Sequence, residues 1–142
     1  MIRNLTKKTI ISKKPLVATH FFQRGFGMIG RQFSDFDAMI FHNCASIHTM
    51  FMSMSIDVIF LDKDNRACEI RKELDSWRPF VSSPGAVTVI ELPCGTVEAS
   101  CTEKGDILDL NAELSKEEQE KMVNKMVVLP DTAIPMSMEN KR

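Results

Sequence analysis

CASIHTMFMSMSIDVIFLD, residues 44–62, sets the architecture expected of this chain. Its second half, Ile56-Asp57-Val58-Ile59-Phe60-Leu61, alternates faces as a strand does. Ile56, Val58 and Phe60 share one side, and Asp57, Ile59 and Leu61 share the other. Both sides are apolar, so Asp57 is expected to be partly buried. A carboxylate so placed needs a cation or several donors, because a buried polar group left unpaired costs about 1–3 kcal/mol. The same logic applies to Ala86–Leu92, where Glu91 shares a face with Val87 and Val89.

Outward from this core the texture stays β-like. Strands are expected over Ala38–His42, Ile47–Met52, Ile56–Leu61, Ala67–Leu74, Ala86–Leu92 and Ile107–Leu110. Asp62-Lys63-Asp64-Asn65, Ser82-Ser83-Pro84-Gly85 and Glu103-Lys104-Gly105-Asp106 supply turn chemistry between them. Short strands with little helix between them favour an antiparallel barrel or sandwich over βαβ winding. Upstream, Arg3, Lys7 and Lys8 mark residues 1–8 as a basic arm, leading into a lysine-flanked edge strand and the short strand Leu16-Val17-Ala18.

Thr19 can cap a helix over His20–Met28, ended by Gly25, Gly27 and Gly30. GFGMIG matches neither GxxxxGK[ST] nor GxGxxG, so it is read as helix termination and not as a phosphate loop. Downstream, Ser115-Lys116-Glu117-Glu118 reads as a capping box. Met122/Met126 and Val123/Val127 then form an apolar stripe that Pro130 stops, followed by a frayed tail. The expected fold is all-β, a mainly antiparallel small barrel or sandwich with short helical insertions and a C-terminal helix.

Composition narrows the function classes. The chain has 142 residues, 44% apolar and 26% charged, with a net charge of −1. That suits one folded domain and gives no overall electrostatic grip on nucleic acid. No apolar run reaches the roughly 18–20 residues of a membrane span, and Ile10-Ile11 is too short for a signal-peptide core, so a cytoplasmic protein is expected. The four cysteines, Cys44, Cys68, Cys94 and Cys101, form no CxxC pair and read as reduced thiols. No metal and no cofactor are expected. His20, His42 and His48 could meet only through folding. Ten methionines with no tyrosine suit gap filling in a core, or an adaptable surface.

Asp57, Glu91, His48 and an arginine (Arg24, Arg31, Arg71 or Arg78) are the candidates for chemistry. They can close buried hydrogen-bond networks, or converge on a pocket as acid, base and anion clamp. No serine sits in a GxSxG elbow, and no basic face carries interleaved aromatics.

RGFGMIGR at 24–31, DAMIF at 37–41, the quoted core at 44–62, WRPF at 77–80, VIELPCGT at 89–96 and GDIL at 105–108 follow in order. Together they resemble the Domain of Unknown Function 192 family, in the variant with an IHT-x-FM-x(3)-IDV-x-FLD core. The resemblance spans residues 9–110 and makes 111–142 a C-terminal helical extension. It implies a compact all-β barrel or sandwich with short helical insertions and brings no agreed activity. Its characteristic positions fall on Arg24, Gly27, His48, Met52, Asp57, Glu91, Gly95, Gly105 and Asp106. Ser55 stands where relatives often have proline, and Ser53-Met54 replace a more usual basic-aromatic pair. The leading expectation is a binding or accessory module holding a small ligand or peptide at the barrel mouth through Arg24, His48, Asp57 and Glu91. Gly27, Met52, Gly95, Gly105 and Asp106 are expected to be structural. The rivals are a hydrolase or lyase using Asp57, Glu91 and His48, and a module that docks through the Met-rich C-terminal helix.

Overall fold

Among the described residues ten strands carry the fold: Ile2–Asn4 (β1), Thr9–Ser12 (β2), Pro15–Val17 (β3), Ala38–His42 (β4), Ser46–Ile47 (β5), Ile56–Leu61 (β6), Ala67–Leu74 (β7), Val81–Ser82 (β8), Thr88–Pro93 (β9) and Leu108–Asp109 (β10). One turn of helix, α1, spans Thr96–Ala99. The computed structural model describes residues 1–19, 33–112 and Glu120. The chain divides into two units, 1–112 and 113–142, and all of these elements belong to the first. The helices expected over 20–28 and, apart from Glu120, over 115–127 lie outside the described residues, as do Arg24 and Gly27. No helix among the described residues is long and apolar enough to cross a membrane.

The strands make three sheets, ordered β10-β1-β2, β3-β4-β9-β6-β7 and β5-β8. Pairing is antiparallel except between β3 and β4. All six residues of β6 are buried, as its two apolar faces require. One face, with Ile40, Ile59, Leu61, Ile90 and Leu92, packs against Ile2, Ile11 and Leu108 of the three-stranded sheet. The other, with Met39, Phe41, Ile56, Val58, Phe60 and Val89, lies beneath Met52, with Ile47, Met54 and Val81 packed against it. The five-stranded sheet is therefore the middle of a layered sandwich, whose two aliphatic interfaces supply most of the apolar burial.

Of the two expected β architectures the sandwich is the one formed, and two other expectations change. No closed barrel forms among the described residues: the central sheet ends in β3 and β7, and separate layers cover its faces. Residues 1–8 are not a solvated arm. They hold β1, which pairs with β10 on one side and β2 on the other, with Ile2 buried. Asn4 explains the anchoring, since its Nδ2 donates to Asp106 Oδ2 at 2.8 Å and to Thr102 Oγ1 at 3.2 Å. The strand expected over Ile47–Met52 stops at Ile47. Beyond it the chain turns, and Phe51 takes a left-handed backbone conformation, φ 62°.

Candidate functional site

Asp57 lies in β6 with its carboxylate facing the three-stranded layer, and it is 1% exposed. The expected donors are there, and both are backbone groups. Oδ1 accepts the Glu73 N–H at 2.9 Å, and Oδ2 accepts the Val97 N–H at 3.0 Å in the first turn of α1. Gly95 makes this possible by taking φ 87°, the left-handed turn that starts α1. Asp57 thus ties β7 and α1 to β6, the strand between β9 and β7. Beside it a cavity of about 80 Å³ is lined by Asp57, Lys72, Glu73, Gly95 and Glu98. The neighbouring Cys94 thiol is pushed up by partial desolvation and then by the charges of Asp57, Glu73 and Asp75, the opposite of an activated nucleophile.

Glu91 faces the other way. The register pairs Asp57 with Leu92 and Val58 with Glu91, so the two carboxyl groups project from opposite faces of one sheet. An acid–base pair built from both would need a shared cavity, and the sheet itself separates them. Glu91 is 3% exposed and flanked across the sheet by Met39 and Val58. Its Oε2 has no hydrogen-bond partner among the described residues. Burial pushes its acid up to about 8, so at neutral pH it is mostly a neutral carboxylic acid.

The remaining site residues divide by role. Met52 is a core residue under 5% exposed. Asp106 accepts the Glu103 N–H at 2.9 Å as well as Asn4, and Gly105 takes φ 96° in the same turn. His48 is exposed, not buried among the Met and Phe side chains around it. Among the described residues no group of three His, Cys, Asp or Glu side chains is placed to hold a metal ion.

His48 leads into the feature that pattern reading missed. Thr49, fully buried, joins the 48–54 turn to the 75–80 loop through four hydrogen bonds. Its N–H donates to Arg78 O at 2.8 Å, and its C=O accepts the Trp77 N–H at 2.8 Å. Its hydroxyl donates to Asp75 O at 2.7 Å and accepts the Arg78 N–H at 2.9 Å. Phe51 and Trp77 both adopt positive φ, 62° and 66°, and their rings meet edge to face at 4.9 Å. They stay 63% and 56% exposed, with Phe80 at 70%. Left-handed backbone costs a non-glycine residue about 1–2 kcal/mol, and exposed aromatic rings recover little of that by burial. Strain of this kind concentrates at binding surfaces.

Next to this pair a cleft of about 400 Å³ opens between β7 and β8, lined by Arg71, Leu74, Arg78, Phe80, Val81 and Ser82. Two guanidinium groups and no carboxylate line it. Arg71 has one loose contact, 3.9 Å from Glu69, and no salt bridge among the described residues engages Arg78. Arg71 and Glu91 lie on the same face in one row across the sheet, Met39–Glu91–Val58–Arg71, roughly 10 Å apart by strand spacing. Of the arginines named as candidates, Arg71 and Arg78 are thus brought together. The signal that could have found them is WRPF, an aromatic–Arg–Pro–aromatic run with no periodicity able to bury it.

The Thr49 lock gives a first expected result. Thr49→Val removes a donor and an acceptor at the joint, so urea melts should show a loss of about 1–3 kcal/mol. The near-ultraviolet dichroism of Trp77 should weaken as its loop loosens. An unchanged signal would show that other contacts hold the platform.

Comparison with known proteins places this geometry. Residues 5–110 match the model of DUF192, described as an uncharacterized ACR. A UPF0127 protein of Thermococcus sibiricus is 34% identical over 119 residues, covering 80% of this chain and 76% of that protein. A UPF0127 protein of Pyrococcus abyssi is 35% identical over 112 residues, covering 75% and 93%. A crystal structure of a protein of unknown function from Novosphingobium aromaticivorans has a TM-score of 0.59 and 20% identity, covering 67% of this chain and 73% of that one. It shares the fold.

Proposed function

We propose that this chain, which belongs to the DUF192 family of uncharacterised proteins, is a binding module that holds an anionic small ligand or peptide in the cleft between β7 and β8. Membership brings no reaction with it, so the reading rests on geometry. The observation that carries it is the pairing of Arg71 and Arg78 with the exposed Phe51, Trp77 and Phe80 on loops locked by Thr49. Guanidinium groups recognise carboxylate or phosphate through paired N–H donors. Exposed aromatic rings offer large contact area with few side-chain rotors to freeze. A platform already rigid loses little further entropy when it binds.

Trp77 is the only tryptophan and directly precedes Arg78 of the cleft lining, so its emission serves as the reporter. Titration with benzoate, glutarate and inorganic phosphate should give a saturable change with at least one of them below about 10 mM, a weak-fragment affinity. Arg71→Ala and Arg78→Ala should each weaken that binding about tenfold, the effect of losing one charge-assisted contact. Flat titrations with all three probes, or binding untouched in the double variant, would remove the proposal.

A further inference from the structure

We infer, resting on the binding reading above, that the occupant of the cleft is an acidic peptide segment that binds in extended form along the free edge of β7. Three observations point to a chain and not merely to an anion. First, β7 is the last strand of the central sheet, with β6 on one side and, beyond Ala67, whose main chain bonds Gly105 and Asp106, no strand on the other among the described residues. The Ile70 N–H on this strand donates at 3.0 Å to Oε1 of the adjacent Glu69, a local cap that an incoming carbonyl can replace. Second, the facing wall is also strand. Ser83 N donates to Ala45 O at 3.2 Å, which makes 45/83 the bonded pair, and Ser46 and Ser82 are the next pair along. In an antiparallel ladder bonded and non-bonded pairs alternate. The main-chain groups of Ser82 therefore point away from β5, and Ser82 lines the cleft.

Third, the side chains along the slot suit a strand whose residues alternate in character. Arg71 and Arg78 offer charge, while Leu74, Phe80 and Val81 offer apolar contact. A peptide added to a sheet edge gains affinity from main-chain bonds and specificity from alternate side chains. Glu69 and Glu73 also lie on β7. The Glu69 carboxylate, loosely held by Arg71, would give way to a ligand carboxylate, and the Glu73 N–H is already committed to Asp57.

The test pans a displayed library of random heptapeptides on the intact chain and measures enriched peptides by Trp77 emission. Enriched sequences should carry Asp or Glu with apolar residues at two-residue spacing. Methylating alternate backbone amides should weaken binding at least tenfold, and Arg71→Ala/Arg78→Ala should abolish it. Failure to enrich acidic peptides while benzoate, glutarate or phosphate still binds through the arginines would overturn the peptide inference and leave the anion cleft standing. Methylation-insensitive binding would overturn strand addition in the same way. Loss of both peptide and small-anion binding would sink the two readings together.

Discussion

Glu91→Gln should leave the protein more stable than wild type at pH 9, by about 2–4 kcal/mol, and slightly less stable at pH 5. The folded acid sits near 8, against an ordinary 4.5, because burial opposes its charge. Between those values the native state keeps a proton that the unfolded chain releases. Stability therefore falls as pH rises through that window, by about 1.4 kcal/mol per unit and on the order of 5 kcal/mol in all, and it is fully present only below about pH 4.5. Glutamine does not titrate, so this loss disappears. Its amide brings N–H donors into a site where Oε2 already has no partner among the described residues, at about 1–3 kcal/mol at every pH. The two stability profiles should then cross between pH 5 and 9 in urea melts. Parallel profiles would mean that Glu91 finds a charge partner when it ionises.

Asp57→Ala is expected to be the most damaging single change in β6, costing about 3–5 kcal/mol. It leaves the Val97 and Glu73 N–H groups without their acceptor, and hydrogen bonds to a charged group contribute about 1.5–3 kcal/mol each. Asp57→Asn keeps one acceptor and turns an amide donor toward the other N–H, so roughly half that loss should appear. Because Asp57 faces the layer opposite Arg71, the asparagine variant should bind the anion probes of Trp77 within about twofold of wild type. Chemical denaturation and the emission titration together check both halves. Binding that vanishes in a variant that still folds would return Asp57 to the site.

The central strands were legible almost to the residue. Ala38–His42, Ile56–Leu61 and Ala67–Leu74 each stand out by apolar content or alternation, and Asp62–Asn65 supplies the hairpin turn. The burial of Asp57 and Glu91 followed from their apolar neighbours. Their separation did not, because a face assignment within one strand says nothing of the register that aligns it with the next. Residues 1–8 misled because lysines mask Asn4, whose partners lie about a hundred residues away. The cleft was illegible for a related reason. Trp77, Arg78 and Phe80 belong to a loop with no repeat, and only the Thr49 bonds reveal that it is held rigid.

The place of β1 between β2 and β10 bears on when the domain can form during translation. Arg3 aligns with Asp109, so one side of the earliest strand stays bare until nearly the whole domain has left the synthetic machinery. At roughly 5–20 residues per second that interval is on the order of 5–20 s. Pairing so distant in sequence also slows closure of the sheet. Nascent chains of this protein should therefore depend on holding chaperones more than a fold stitched from neighbouring hairpins would.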